Sequence, residues 1–188
     1  MKEIEILVEL YTDIKTCKNI LSKYDYVGEK LTIDDYYYDP LRDNLKPDSN
    51  LQINECLRLR TKKDKHYITY KVDNFDNNKK WLYSDEYETE ISDIKQLEKI
   101  ISLLGLKKLL TINNKKTIYK SDKYEIALEE VENLGNFLEV EYCTEENVDI
   151  RKIKQEIQTF IDNLELNVSE ELNMGKPEMI LKRKKIDN

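Results

Sequence analysis

Apolar and polar residues alternate one by one through much of this chain. Glu3-Ile4-Glu5-Ile6 begins the pattern, Leu57-Arg58-Leu59-Arg60 repeats it with the opposite sign, and Phe137-Leu138-Glu139-Val140-Glu141 returns to acid. Alternate residues of a strand share a face, so each segment sets two like charges on one side and aliphatic groups on the other. Strands are predicted over residues 3–10, 30–39, 55–61, 66–72, 81–91, 109–112, 116–120, 124–132 and 137–142. Lys62 to Lys65, Asn113-Asn114, Ser121-Asp122 and Asn133-Leu134-Gly135-Asn136 read as turns.

Three segments change to a helical period. Residues 13–24 carry Ile14, Cys17, Ile20, Leu21 and Tyr24 on one face, with Thr12 as the expected cap. Ser92 or Asp93 caps a second helix, with Ile94, Leu97, Ile101 and Leu104 along it and Gly105 at its end. Residues 148–164 carry the clearest helical stripe, including Ile153, Ile157, Phe160 and Ile161. Two short helical turns are predicted near Ser169 to Leu172 and Pro177 to Leu181, followed by a basic tail at Lys182 to Lys185. The order is strand, helix, strands, helix, strands, helix. It describes an α+β chain with a large, mainly antiparallel sheet. No linker rich in Gly, Pro or Ser divides it, so residues 1–188 read as one domain.

Composition narrows the chemistry. The 188 residues are 37% charged with a net charge of -7, which does not favour general nucleic-acid binding. No apolar run is long enough to span a membrane, and no signal peptide is expected. Cys17, Cys56 and Cys143 form no CxxC pair, so a reducing cytoplasm is the expected compartment. His66 is the only histidine, which argues against histidine zinc sites and His-dependent nucleophiles. The four glycines form neither GxxxxGK[ST] nor GxGxxG, so any phosphate must be held by side-chain cations.

The i, i+2 pairs Glu3/Glu5, Arg58/Arg60, Glu88/Glu90 and Glu139/Glu141 point to a charged interior as well as an ordinary wet sheet face. Carboxylates ligate Mg²⁺ or Mn²⁺, and arginine forks suit phosphate. Phosphoryl and nucleotidyl transfer depend mainly on positioning and charge neutralisation, and need no histidine.

These segments resemble the CYTH domain, the triphosphate tunnel metalloenzymes. Glu3-Ile4-Glu5-Ile6-Leu7 is similar to the family's ExExK signature, and Asp35-Tyr36-Tyr37-Tyr38-Asp39 to its DxYFD segment. Leu57 to Arg60 with Ile68-Thr69-Tyr70-Lys71 resembles its LRxR and TxK strands. Tyr87 to Glu90 resembles its central acidic strand, and Leu128 to Glu141 its LDxVxGLGxFxExE segment. The resemblance implies an eight-stranded antiparallel barrel with flanking helices, enclosing a tunnel for a triphosphate and a divalent metal. It assigns Glu3, Glu5, Glu88, Glu90, Glu129, Glu139 and Glu141 to the metal. Arg58, Arg60, Lys71, Lys115 or Lys116, and Lys176 fall to the phosphates, with Glu3, Glu5 and Lys71 catalytic. Leu7 departs from the pattern, standing where the family has a lysine that reaches the phosphates. The class IV adenylyl cyclase branch is the nearest in plan, implying ATP converted to cyclic AMP and pyrophosphate. Thiamine triphosphate or tripolyphosphate hydrolysis, and non-catalytic polyphosphate or nucleotide binding, are the alternatives. The expected assembly is a monomer or homodimer, with no nucleic-acid or membrane partner.

Overall fold

The computed structural model describes residues 2–186. Eight strands close into an antiparallel barrel in the order β1-β5-β4-β3-β2-β6-β7-β8. They are β1 (Lys2–Glu9), β2 (Asp25–Tyr38), β3 (Glu55–Lys62), β4 (Lys65–Phe75), β5 (Trp81–Ile91), β6 (Lys107–Lys120), β7 (Glu125–Val131) and β8 (Gly135–Thr144). The helices are α1 (Ile14–Leu21), α2 (Ile94–Leu103), α3 (Ile150–Asp162) and α4 (Lys176–Ile186). No helix among the described residues is long and apolar enough to cross a membrane.

Alternation sorts the side chains as the sequence implies. On β1, Ile4, Ile6 and Val8 point outward and are at most 2% exposed, packed with Ile153, Ile157 and Ile161 of α3 and Leu21 of α1. Glu3, Glu5 and Leu7 point inward. The α2 helix covers the outer face of β3 and β4 through Ile101 and Leu97 against Leu57, Leu59 and Ile68. Burying an aliphatic side chain is worth about 1.5–3 kcal/mol, so the external helices help hold a barrel with a charged lumen.

Each of α1, α2 and α3 starts at an aspartate. Asp13, Asp93 and Asp149 accept from Thr16 N, Gln96 N and Lys152 N at 3.0–3.1 Å. Thr12, the expected first cap, instead accepts from Asn167 N at 2.8 Å.

Three predicted elements differ. Asn113-Asn114 is not a turn but part of continuous β6, which pairs with β2 from Asp25↔Lys120 to Tyr38↔Lys107. Asn114 finds its polar partner inside the wall, donating to Glu129 Oε2 at 2.6 Å. The segment from Ser169 to Leu172 is extended rather than helical, because Ser169 N and Leu172 N donate to Glu9 O and Leu7 O at the end of β1. The short turn and basic tail that follow are one helix, α4, with Pro177 in its first turn, where its missing N–H is tolerated.

Candidate active site

The inward residues surround a cavity of about 250 Å³. In the barrel order β1 and β2 lie diametrically opposite, as do β8 and β3. The cavity therefore has two contrasting walls. The β2–β3 wall presents Lys30, Asp34, Arg58, Arg60 and Lys62, whereas the β1–β8 wall presents Glu3, Glu5, Glu139 and Glu141. Lys71 and Glu86 from β4 and β5 close one side, and Lys116 from β6 the other.

On the basic wall, every arginine has a partner. Asp34 sits opposite Arg60 in the β2–β3 register and accepts from Nε and Nη2, both at 2.7 Å. Burial alone would raise the Asp34 pKa, but the Arg60 charge and hydrogen bonds outweigh it and hold the carboxyl below its ordinary value. Arg58 Nη2 donates to Thr69 Oγ1 at 3.2 Å and lies 3.5 and 3.6 Å from Glu88 and Glu86.

Lys71 bridges the walls. Its Nζ is 3.1 Å from Glu86, 3.4 Å from Glu5 and 3.9 Å from Glu3, and lies 5.1 Å from the centroid of the Trp81 ring. Against the cost of burial, Lys71 and Arg58 bring Glu86 down to about 2.

On the acidic wall, Glu139 is neutralised by Lys116 at 3.1 Å and Lys176 at 2.7 Å, and its pKa stays well below the ordinary range despite burial. The other acids have less compensation, with Lys71 standing near Glu5 and, farther off, Glu3. Glu5 and Glu141 are direct cross-strand partners, an unfavourable like-charge pair. Burial, followed by the Glu86 and Glu141 charges, pushes Glu3 up to about 9. Glu5 rises to about 7, chiefly through burial, even though Lys71 opposes the change. Glu141 also rises, with burial the largest cause.

This donor set fits a hard divalent cation. Oxygens of Glu5, Glu139 and Glu141 lie within 4.8 Å of one another, and Glu3, Glu141 and Cys143 form a second group of the same compactness. Carboxylates that raise one another's pKa gain when a cation replaces their protons, and all-oxygen donors suit Mg²⁺ or Mn²⁺.

Of the residues singled out by sequence, the structure brings Glu3, Glu5, Arg58, Arg60, Lys71, Glu88, Lys116, Glu139, Glu141 and Lys176 to the cavity lining. It does not bring Lys115, whose parity opposes that of Lys116. Its ammonium lies on the outer face, 3.3 Å from Glu130 and 3.8 Å from Glu29. Glu90 shares the parity of Glu88 but is exposed near the end of β5, paired with Lys65 at 2.9 Å. Glu129 is fully buried in the wall, 2.5 Å from Lys116 and 2.8 Å from Lys176.

Sequence reasoning missed Asp34, Glu86, Glu178, Lys30, Lys62 and Trp81. Glu86 had a usable signal in its shared parity with Glu88. Asp34 had none, because its importance comes from register with Arg60 on another strand.

Comparison with known proteins agrees with this geometry. The family model of the CYTH domain matches residues 1–172. A Methanocaldococcus jannaschii protein named as a candidate adenylate cyclase is 27% identical over 168 residues, covering 89% of this chain and 91% of that one. A solved Pyrococcus horikoshii OT3 structure is 25% identical, with a TM-score of 0.78, covering 95% of this chain and 99% of that one. A Hippeastrum protein, described as a candidate adenylyl cyclase with a dominant triphosphatase activity, shares the fold at a TM-score of 0.63 and 16% identity, covering 98% of this chain and 96% of that one. With the family match spanning most of the chain and the eight strands closed around a charged lumen, this protein belongs to the CYTH domain family and has its triphosphate tunnel fold.

Proposed function

We propose that the protein binds a triphosphate together with Mg²⁺ or Mn²⁺ in the tunnel and cleaves it, with class IV adenylyl cyclase-like conversion of ATP to cyclic AMP and pyrophosphate as the leading reaction. One observation carries this reading: an acidic wall, whose carboxylates of Glu5, Glu139 and Glu141 converge within 4.8 Å, faces a basic wall across one cavity. Glu5, Glu139 and Glu141, with Glu3 beside them, would hold the metal. Bound there, the metal would supply charge neutralisation on phosphate oxygens as a Lewis acid.

The chain's own residues do the rest by positioning. Arg58 and Arg60 bind phosphate oxygens through guanidinium edges left free by their carboxylate partners. Lys71, held by Glu5 and Glu86, supplies an ammonium between the metal-side acids and the arginines. Lys116 and Lys176 provide point charges on the opposite side. Such positioning suits a reaction in which charge is spread over phosphate oxygens.

Hydrolysis of tripolyphosphate or thiamine triphosphate is the second reading. It is favoured by the scarcity of aromatic surface in the cavity: Trp81 and Tyr36 are only 6% and 8% exposed, leaving little platform for a base. We also read the whole chain as one functional CYTH domain, since residues 175–178, beyond the family match, line the cavity. The three free thiols support a reducing, cytoplasmic setting.

Product analysis is the test. The protein is incubated with ATP, thiamine triphosphate and tripolyphosphate, each with Mg²⁺ or Mn²⁺. Cyclic AMP with pyrophosphate supports the cyclase reading, and orthophosphate release supports hydrolysis. Binding without turnover makes the tunnel a sensor, while absence of both binding and turnover overturns the proposal.

A further inference from the structure

The cations that line the cavity fall into two groups. Arg58, Arg60, Lys71, Lys116 and Lys176 each stand within ion-pair distance of a carboxylate. Lys30 and Lys62 line the same cavity, yet among the described residues neither makes an ion pair. Both are half-buried. Lys62 Nζ lies 5.1 Å from the centroid of the Tyr67 ring. Burial first, then the Arg60 charge, with Lys30 adding to it, hold the Lys62 pKa below its ordinary value against the pull of Glu88. Positive charge is therefore crowded here with no carboxylate in contact to neutralise it.

Thr32 stands beside both lysines. Alternation turns Lys30, Thr32 and Asp34 of β2 inward, and Thr32 lies directly opposite Lys62 in the β2–β3 register. Thr32 is 2% exposed, and its Oγ1 has no hydrogen-bond partner. Buried hydroxyls are normally paired, so an orphaned one lining a cavity calls for a partner from outside the chain. A hydroxyl can donate to an anion, and the two ammoniums supply the charge. Asp34 does not compete for them, because Arg60 holds both of its oxygens. Asn114, opposite Thr32 on β6, also leaves its Oδ1 unpaired, so the rival reading is a water shared by Thr32 and Asn114.

The place of this trio along the tunnel indicates what it would hold. On β3 the inward cations run Arg58, Arg60, Lys62, about 7 Å from one to the next. In the direction before Arg58 the lining is Tyr36, Ile53 and Glu178, which offer an anion nothing. A row of phosphates longer than the arginines can hold is therefore favoured to run past Arg60 to Lys30, Thr32 and Lys62. ATP would place a neutral ribose and base there, whereas a longer phosphate chain would place an anion. On the triphosphate reading above, we propose that Lys30, Thr32 and Lys62 form a further phosphate subsite, so that the tunnel takes linear inorganic polyphosphate of four or more phosphates.

The test is calorimetry on the full chain with tripolyphosphate, tetrapolyphosphate and ATP as probes, each with excess Mg²⁺. Wild type is expected to bind tetrapolyphosphate about tenfold or more tighter than tripolyphosphate, the scale of an added charge-assisted hydrogen bond. Lys30→Met/Lys62→Met and, separately, Thr32→Val should each remove most of that advantage. Both should leave the affinity for tripolyphosphate and ATP within about threefold of wild type. Thr32→Val changes no charge, so it separates contact from a general loss of positive potential. The wild-type comparison of the two chain lengths needs no variant to fold, and equal affinity for both lengths overturns the subsite. An equal loss on all three probes also overturns it, because the lysines then act on any polyanion or hold the third phosphate. A loss confined to ATP gives the place to the nucleoside instead. Unchanged tetrapolyphosphate affinity in Thr32→Val leaves the hydroxyl to a water shared with Asn114 and rejects the trio. Absence of tripolyphosphate and ATP binding by wild type is a different result, which removes the triphosphate reading itself.

Discussion

The basic and acidic walls of the cavity balance charge in different ways. On the β2–β3 wall, neutralisation is built into the strands: Asp34 grips Arg60 at two 2.7 Å contacts, and Glu86 and Glu88 flank Arg58. On the β1–β8 wall, Glu5 and Glu141 face each other across the strands and Glu3 stands near Glu86 and Glu141, with Lys71 the ammonium shared by Glu5 and Glu3. Only Glu139 has two close ammoniums. The basic wall is therefore preorganised without ligand, while the acidic wall is left frustrated until a cation arrives. This asymmetry makes the acidic side the metal-responsive side and the basic side the rigid frame.

The largest expected effect breaks the frame. Asp34→Ala leaves the Arg60 charge buried without its bidentate partner, and removing one member of a buried pair costs about 3–5 kcal/mol. Urea denaturation should show that loss. A cost below about 1 kcal/mol would mean the pair behaves like an exposed surface bridge and the basic wall is not preorganised.

Glu178 of α4, which also lines the cavity, repeats the frustration of the acidic wall. Glu178 is buried, and burial, with Asp73 nearby, raises its pKa from 4.5 to about 7, while Lys71 opposes the change. A folded-state value above the unfolded one means the native state holds the proton more tightly. The associated stability is present below about pH 4.5 and is lost as pH rises through about 7. At 1.36 kcal/mol per unit, the whole loss is about 3 kcal/mol. Glu178→Gln should flatten the pH dependence of urea stability in that window relative to wild type. Equal slopes in the two proteins would show that α4 is seated independently of this proton.

A smaller effect tests what the basic wall recognises. Arg58→Ala and Arg60→Ala should each weaken tripolyphosphate binding by about 1.5–3 kcal/mol, or about tenfold or more, read by calorimetry. Unchanged affinity in both would leave these arginines as structural members of the wall.

Much of this contrast was legible because strand alternation fixes which residues share a face. The pairs Glu3/Glu5, Arg58/Arg60 and Glu139/Glu141 all turn inward. Local sequence does not say which parity is inward, so Lys115 and Lys116 could not be separated until β6 was placed between β2 and β7. Nor does it give register, which is why the Asp34–Arg60 pair was hidden. Asn113-Asn114 looked like a turn because asparagine favours turns, and pairing with both neighbouring strands overrode that preference. The C-terminal helix was only partly legible because its position depends on the end of β1 and the apolar cluster around Leu7, rather than on its own periodicity.

The smallest expected change in intrinsic stability is the sharpest test of the comparison, because it concerns two glutamates on the same strand. Glu139 and Glu141 both face the cavity from β8. Gln keeps the size and one acceptor oxygen of each but removes the charge. For Glu139 the loss deprives two buried ammoniums of a partner, so Glu139→Gln should lower the metal-free melting temperature. For Glu141 the loss relieves repulsion across the strands from Glu5, since like charges directly opposite are destabilising. Glu141→Gln should therefore leave the metal-free protein as stable as wild type or slightly more so. Wild type should gain stability on adding Mn²⁺, because a ligand that binds the native state raises its apparent stability. That gain should shrink or vanish in Glu141→Gln. Calorimetric melts in metal-chelating buffer and in Mn²⁺ make both comparisons. If Glu141→Gln is the less stable variant without metal, or if it keeps the full response to Mn²⁺, the acidic wall is held by internal pairing and the contrast between the walls fails.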